Sequence, residues 1–286
     1  MTTTPMTRPP RAPAALRMTP GRWAALAIGV PIALAMIGLS AFSLVTGIGR
    51  ASFPFHTSIP VQNGHLVAST GGGDVTVHQD QAKSHSAQLT GTVQYSLVRP
   101  HLTKSGDGVS LDCRFLTGNC GLNATLDVPL DTVVNLASEG GNMQVNGIDR
   151  DVTLNSGGGD VTVSGVGGTA NVSTGGGNVT ASDLGSTVRF STDGGDLNGN
   201  SLFAPQVTTY SGGGNVTLVF TKVPVNVKII SDGGDISIVL PAGSTSYAIN
   251  YATYGGDYSA SVPVSKSSSH TIDVQSGGGN VSIAQS

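Results

Sequence analysis

Charged and aromatic side chains are scarce in this chain, at 11% and 5% of its residues, while glycine fills 41 positions. Little Glu and Lys beside much Gly, Val and Thr excludes a helical domain and suits strands joined by turns. Disorder is excluded as well. Disordered segments are poor in β-branched residues, and this chain carries Val, Ile and Leu at regular intervals. Catalytic and cofactor signatures are missing too: the sequence has no GxSxG, no Walker A loop, no HExxH and no CxxC. Nucleophilic hydrolysis, phosphate cradling, zinc proteolysis and dithiol exchange therefore lack their usual sequence support.

Acidic residues are absent from one region only. Residues 1–50 hold Arg8, Arg11, Arg17, Arg22 and Arg50 and no Asp or Glu, whereas from residue 51 onward nine Lys and Arg face all 17 Asp and Glu. An acidic surface repels phosphate backbones, so nucleic acid is excluded as a partner.

The longest uncharged run is Trp23 to Val45, WAALAIGVPIALAMIGLSAFSLV. As a helix it would span about 34 Å, enough for a bilayer core of about 30 Å. Pro31 is a kink that membrane helices tolerate. Four Arg precede the run and one follows it, which places the N-terminus in the cytoplasm and the rest outside. The run exceeds the apolar stretch of a cleaved signal peptide, and Val45-Thr46-Gly47 is a poor cleavage site. The expected organisation is a cytoplasmic tail over 1–22, a transmembrane helix over 23–45, a linker over 46–60 and an extracytoplasmic domain over 61–286.

Beyond residue 130 the chain repeats. A Gly-Gly pair, then Asp or Asn, then a short alternating apolar run recurs, with the polar position at Asn142, Asp160, Asn178, Asp196, Asn215, Asp235, Asp257 and Asn280. These positions lie 18, 18, 18, 19, 20, 22 and 23 residues apart, and one outlying copy sits at Asp74. A period of about 20 residues marks a stacked architecture. Each unit holds two strand-like runs, such as Val161-Thr162-Val163 and Ala170-Asn171-Val172-Ser173. Alternation turns Val161 and Val163 to one face and Thr162 to the other. One turn alone can neither bury that face nor pair its backbone, so such units come in series. The expected fold is an all-β parallel solenoid, regular over 131–286 and irregular over 61–130. At the corners, glycine is expected to supply positive φ, and Asp or Asn to tolerate the left-handed region and bond back to the chain.

The order of these features resembles a known family. Asp112-Cys113 through Cys120, then LDVPLDTVVNLASEGGNMQV, then serial SGGGDVTV units are similar to the DUF4097 family of candidate adhesins, most closely to its actinobacterial, membrane-anchored members. The resemblance covers roughly residues 60–286. It implies a single-stranded, right-handed β-helix, and it brings no catalytic residues with it.

Calcium-binding repeats need aspartates in tandem at nine residues. Here the period is double, and Asn replaces Asp at four of nine equivalent positions without supplying charge, so the corners read as turn formers and no metal or cofactor is assigned. Cys113 and Cys120 are the only cysteines. An oxidising compartment and the turn residues between them predict a structural disulfide. His56, His65, His78, His85, His101 and His270 show no metal-ligand spacing. Asp149, Asp151, Asp183 and Asp193 are the only acidic cluster, and nothing in the sequence fixes a pair of them across a groove. Most of the sequons at Asn123, Asn171, Asn178, Asn215 and Asn280 arise from the corner pattern itself.

Three functions are consistent with this reading. The first is a non-enzymatic adhesin-like module contacting wall glycan or an envelope protein, with Tyr247, Tyr251, Tyr254 and Tyr258 as contact residues. The second, which only the family resemblance suggests, is an envelope-stress component that binds a membrane protein, and the third, least favoured, is a polysaccharide-acting enzyme. The last unit, GGNVSI, is expected to leave an open end through which two copies associate.

Overall fold

Alternating short runs of Val, Ile and Leu bury one side chain in two, and two such runs per repeat give two sheets with a shared core. The structure, a computed structural model, describes residues 50–61, 63–80, 85–96, 99–112 and 120–286. Residues 49–286 form one compact unit. The expected tail, the 23–45 span and Cys113 lie outside the described residues. Among the described residues, no helix is long and apolar enough to cross a membrane.

The regular part contains twelve parallel strands that alternate between the two sheets. One sheet takes β8 (Val133–Ser138), β10 (Val152–Ser156), β12 (Ala170–Thr174), β14 (Thr187–Thr192), β16 (Gln206–Ser211) and β18 (Asn226–Ser231). The other takes β9 (Met143–Ile148), β11 (Val161–Val166), β13 (Val179–Ser182), β15 (Leu197–Leu202), β17 (Val216–Phe220) and β19 (Ile236–Leu240). Each turn of the solenoid contributes one strand to each sheet, in register with its neighbours apart from a shift between Gly199 and Leu202 of β15. The inward residues form columns such as Leu154, Val172 and Phe190, all buried. Stacking in register lets like side chains fill the same gap turn after turn, which gives one continuous core.

The ends depart from this order. At the N-terminal end lie β1 (Arg50–Pro60), β2 (His65–Thr70), β3 (Val75–Gln79), β4 (Ser86–Ser96), β5 (His101–Ser105), β6 (Gly108–Asp112) and β7 (Gly121–Val128). Strands β2 and β3 stack directly on β8 and β9, although some sixty residues separate them in sequence. β6 and β7 lie outside them, and β1 and β4 close one sheet as an antiparallel pair beyond β7. Residues 50–60, expected within a linker, are therefore an edge strand: β1 pairs along its whole length with β4, from Arg50 against Ser96 to Pro60 against Ser86. The parallel expectation fails at this end, because β4 and β5 each run antiparallel to a neighbour.

At the C-terminal end lie β20 (Ala248–Thr253), β21 (Tyr258–Ala260), β22 (Thr271–Ser276) and β23 (Val281–Gln285). The last strands in sequence are not the last in space. β22 inserts between β18 and β20, and β23 between β19 and β21. The open end expected at GGNVSI is therefore at β20 and β21 instead. The longer repeat spacings of 22 and 23 residues supply the chain needed to skip one position and return.

Candidate functional site

The Gly-Gly-[Asp/Asn] corner was the first candidate, and it is built as a ladder. The backbone N–H of each corner Asp or Asn donates to the side-chain Oδ1 of the corner residue one turn away, at 2.7–3.0 Å throughout. In spatial order the rungs are Asn123, Asp74, Asn142, Asp160, Asn178, Asp196, Asn215, Asp235, Asn280 and Asp257. Asn and Asp alternate strictly along this order, whereas in sequence order Asn123 precedes Asn142 and Asp235 precedes Asp257. No two carboxylates are adjacent. Like charges one strand spacing apart, about 4.8 Å, would repel by about 1 kcal/mol even in bulk water. At twice that spacing, about a Debye length, salt screens most of the repulsion.

Two expectations about this corner are corrected. None of the corner Asp and Asn residues has positive φ, and their side chains bond to the next turn, not back to their own segment. Left-handed backbone falls elsewhere along the turn, at Gly147, Gly165, Asp183 and Ser201, except at one corner glycine, Gly234, with φ of +42°. The glycine before each corner residue is required for space. A Cβ on Gly177 would fall onto the carbonyl oxygen of Gly159, while one on Gly176 would meet nothing. Behind the corner a second set of bonds satisfies the glycine backbone: Thr174 Oγ1 accepts from Gly177 N–H at 3.1 Å, and Ser156 Oγ accepts from Gly159 N–H at 2.9 Å. Asn123 was missed as a rung because no glycine pair precedes it. Its only sequence signal is the alternating run GLNATL.

The acidic cluster is structural wherever its bonds are seen. Asp149 accepts from Gln79 Nε2 at 2.7 Å, and Asp151 accepts from Thr169 N–H at 2.7 Å. Among the described residues, no three His, Cys, Asp or Glu side chains gather closely enough to hold a metal ion. Cys120 is half-buried, and its carbonyl accepts from Gly72 N–H at 3.0 Å. Its expected disulfide partner, Cys113, lies outside the described residues.

The tyrosines were the second candidate, and the structure separates them. Tyr247 is fully buried, packed edge-on to His270, and its hydroxyl has no hydrogen-bond partner among the described residues, so it is a core residue and not a contact residue. Burial pushes its phenol up from the ordinary value of 10.0. Tyr251 and Tyr258 stand at inward positions, opposite Val274 and Val281 of the preceding turn. Those valines are 1% exposed, but Tyr251, with no turn beyond it, is 53% exposed. The two rings stack face to face across the core, 3.6 Å apart and 6° from parallel. Burial, then the Tyr251 phenol beside it, pushes the Tyr258 phenol up. Tyr254 at the corner is 83% exposed. Segment 261–270 covers Tyr247, with Tyr247 N–H bonded to Pro263 and Ser265 N–H bonded to Tyr247. It leaves Tyr251, Tyr254 and Val264 exposed. This end lies eleven strand spacings, about 53 Å, from β1.

A stack of paired strands in long parallel sheets, with a glycine corner in each turn, defines a β-solenoid. The chain belongs to the Toastrack DUF4097 family, whose model matches residues 74–284. Two solved structures are similar to it. A candidate cell adhesion protein from Clostridium sporogenes ATCC 15579 is 13% identical, with 82% of this chain and 100% of that one covered and a TM-score of 0.29. A candidate adhesin from Bacteroides fragilis NCTC 9343 is 12% identical, with 82% and 97% covered and a TM-score of 0.42. No curated protein matches the chain.

Proposed function

We propose that this protein is a non-enzymatic, adhesin-like binding module of the cell surface. The 23–45 span holds it in the membrane with residues 1–22 in the cytoplasm, and the solenoid, wound right-handed as in its family, stands outside. The observation that carries this reading is the position of the tyrosines. The chain enters the solenoid at β1, and the exposed aromatic surface lies at the opposite extreme of the same sheets. A rigid spacer between an anchor and an amphipathic contact patch is the geometry of a displayed binding module, and exposed tyrosines are enriched at such contacts. The chemistry of the corners supports a non-enzymatic role. The carboxylates of Asp74, Asp160, Asp196 and Asp235 each accept from a backbone N–H and are spaced along an edge, not paired across a cleft. A Cys113–Cys120 disulfide would staple the N-terminal turns in an oxidising compartment.

The test is binding of the full-length protein, purified in detergent, to isolated cell-wall polymers, to a glycan array and to membrane proteins crosslinked in cells. Saturable binding that Tyr254→Ala weakens at least tenfold is expected. Binding that is indifferent to Tyr251→Ala and Tyr254→Ala would remove the contact site from this end, and turnover of a bound glycan would overturn the non-enzymatic reading.

A further inference from the structure

The reading above leaves the partner of the C-terminal end open, and the backbone of that end restricts it. In a parallel pair, alternate residues bond to opposite sides. Ala248 N–H bonds to His270 and Tyr254 N–H to Ser276, both toward β22. The N–H and C=O groups of Ile249, Tyr251 and Thr253 therefore point away from β22, where among the described residues no further strand pairs with β20. Exposed strand edges are ordinarily blunted by charge, proline or a covering segment. The other end follows that rule: Pro54 and Pro60 lie in β1, and Lys104 Nζ closes on the Ser58 carbonyl at 3.3 Å. This end follows it only in part. Segment 263–265 pairs with the outward groups of Tyr247, whereas residues 248–253 contain no charged side chain and no proline. One ladder charge, Asp257, lies at the corner after β20.

We infer that the partner of this end is the same end of a second copy, paired through β20 in antiparallel fashion about Tyr251. The inference rests on the end being the contact site, as proposed above. Three features select a second copy. The free groups are self-complementary: centring the pair on Tyr251 sets Ile249 opposite Thr253 of the partner and Tyr251 opposite its counterpart, giving about six backbone bonds across a two-fold axis. The strand polarity agrees, because turning one solenoid end over end reverses its strand direction at the junction. The exposed core also closes on itself. Tyr251 ends the column that runs through Ile229 and Val274, and the symmetric copy sets a second stacked tyrosine pair against the first. A two-fold pairing uses the β20 edge of each copy once, so the assembly is a closed dimer and not a filament. Because β1, which follows the 23–45 run in sequence, ends one sheet at the opposite end of the solenoid from β20, such a dimer can bridge two membranes, which is homophilic adhesion.

The contact is one solenoid cross-section, smaller than a standard interface, and belongs to the weak, transient class. The test is sedimentation equilibrium of the full-length protein in density-matched detergent, from about 1 µM to about 500 µM, a range that brackets this class. The expected result is a monomer–dimer equilibrium that Tyr251→Lys abolishes by placing two like charges on the axis. Thr253→Pro should abolish it too, by removing an outward N–H while leaving the β22 ladder intact. Both variants should melt within a few degrees of wild type, since Tyr251 is half-exposed and the Thr253 N–H lies outside the β22 ladder. A monomer at all concentrations, or a dimer untouched by both substitutions, overturns the inference. If Tyr251→Lys instead destroys binding to a wall polymer while the wild type stays monomeric, the homophilic partner is wrong and the contact site stands. Vesicles carrying wild-type protein should aggregate with each other and not with vesicles carrying Tyr251→Lys.

Discussion

The two ends of this solenoid meet the same problem in opposite ways. Each threads its chain out of order, so that β2 and β3 at one end, and β22 and β23 at the other, are enclosed by strands that are not their neighbours in sequence. Enclosure protects a turn that would otherwise fray, because both its faces then pair. Beyond that point the ends diverge. The N-terminal end adds an antiparallel pair, β1 and β4, with Ile59, Leu89 and Val93 buried. The C-terminal end stops at a short β20–β21 turn whose inward positions are tyrosines, partly exposed. One end is finished as a cap and the other as a surface.

Substitutions that treat the ends unequally sharpen this comparison, and the largest effect is expected where backbones touch. A Cβ on Gly279 would fall onto the Gly234 carbonyl, so Gly279→Ala should cost about 4 kcal/mol or more by prying β23 out of its slot. Gly278, where a Cβ meets nothing, should accept alanine within about 1 kcal/mol. Chemical denaturation of the two variants decides the point. Leu89→Ala in the cap is next, at about 2–4 kcal/mol for a buried leucine. The same truncation at half-exposed Tyr251 should cost the monomer about 1 kcal/mol or less. Equal costs would mean that the C-terminal end is a cap as well.

The charge ladder gives a smaller and matched pair. Asn280→Asp and Asn142→Asp each put three carboxylates in succession, one variant near each end. Each should cost about 1 kcal/mol at low salt, and the loss should shrink at about 1 M salt, where screening reaches only about 3 Å. A loss indifferent to salt would assign the alternation to hydrogen bonding and not to charge. The smallest effect is alkaline. Tyr247 and Tyr258 hold their phenols above the ordinary value in the folded protein. Above pH 10 the unfolded chain therefore releases protons that the folded chain keeps, and stability falls as pH rises. Thermal melts of Tyr258→Phe should show a shallower decline over that range than wild type. No substitution at the N-terminal cap should change it.

The repeat, the two strands per turn and the inward valines were legible in the sequence because period-two alternation and a period of about 20 residues leave few alternatives. Val161 and Val163 are buried where that alternation put them. The corner motif was legible as a corner but misread as a turn of left-handed residues. Its glycines answer to the neighbouring turn and its Asp and Asn side chains bond across turns. Neither relation exists within a single repeat, so no local reading could supply them. Tyr247 was misassigned for the same reason: segment 261–270 buries it, and nothing in its own neighbourhood says so.

By itself, then, the sequence determined a stack of two-strand turns and the residues that face its core, because alternation and periodicity act locally and repeat. Tertiary structure alone decided the order in which the turns stack. It brought Asp74 beside Asn142 and Asn280 between Asp235 and Asp257, and so made an irregular string of Asp and Asn into a strict alternation. The reason is that strand pairing joins neighbours in space, and sheets accept any strand whose backbone and charge fit the open edge.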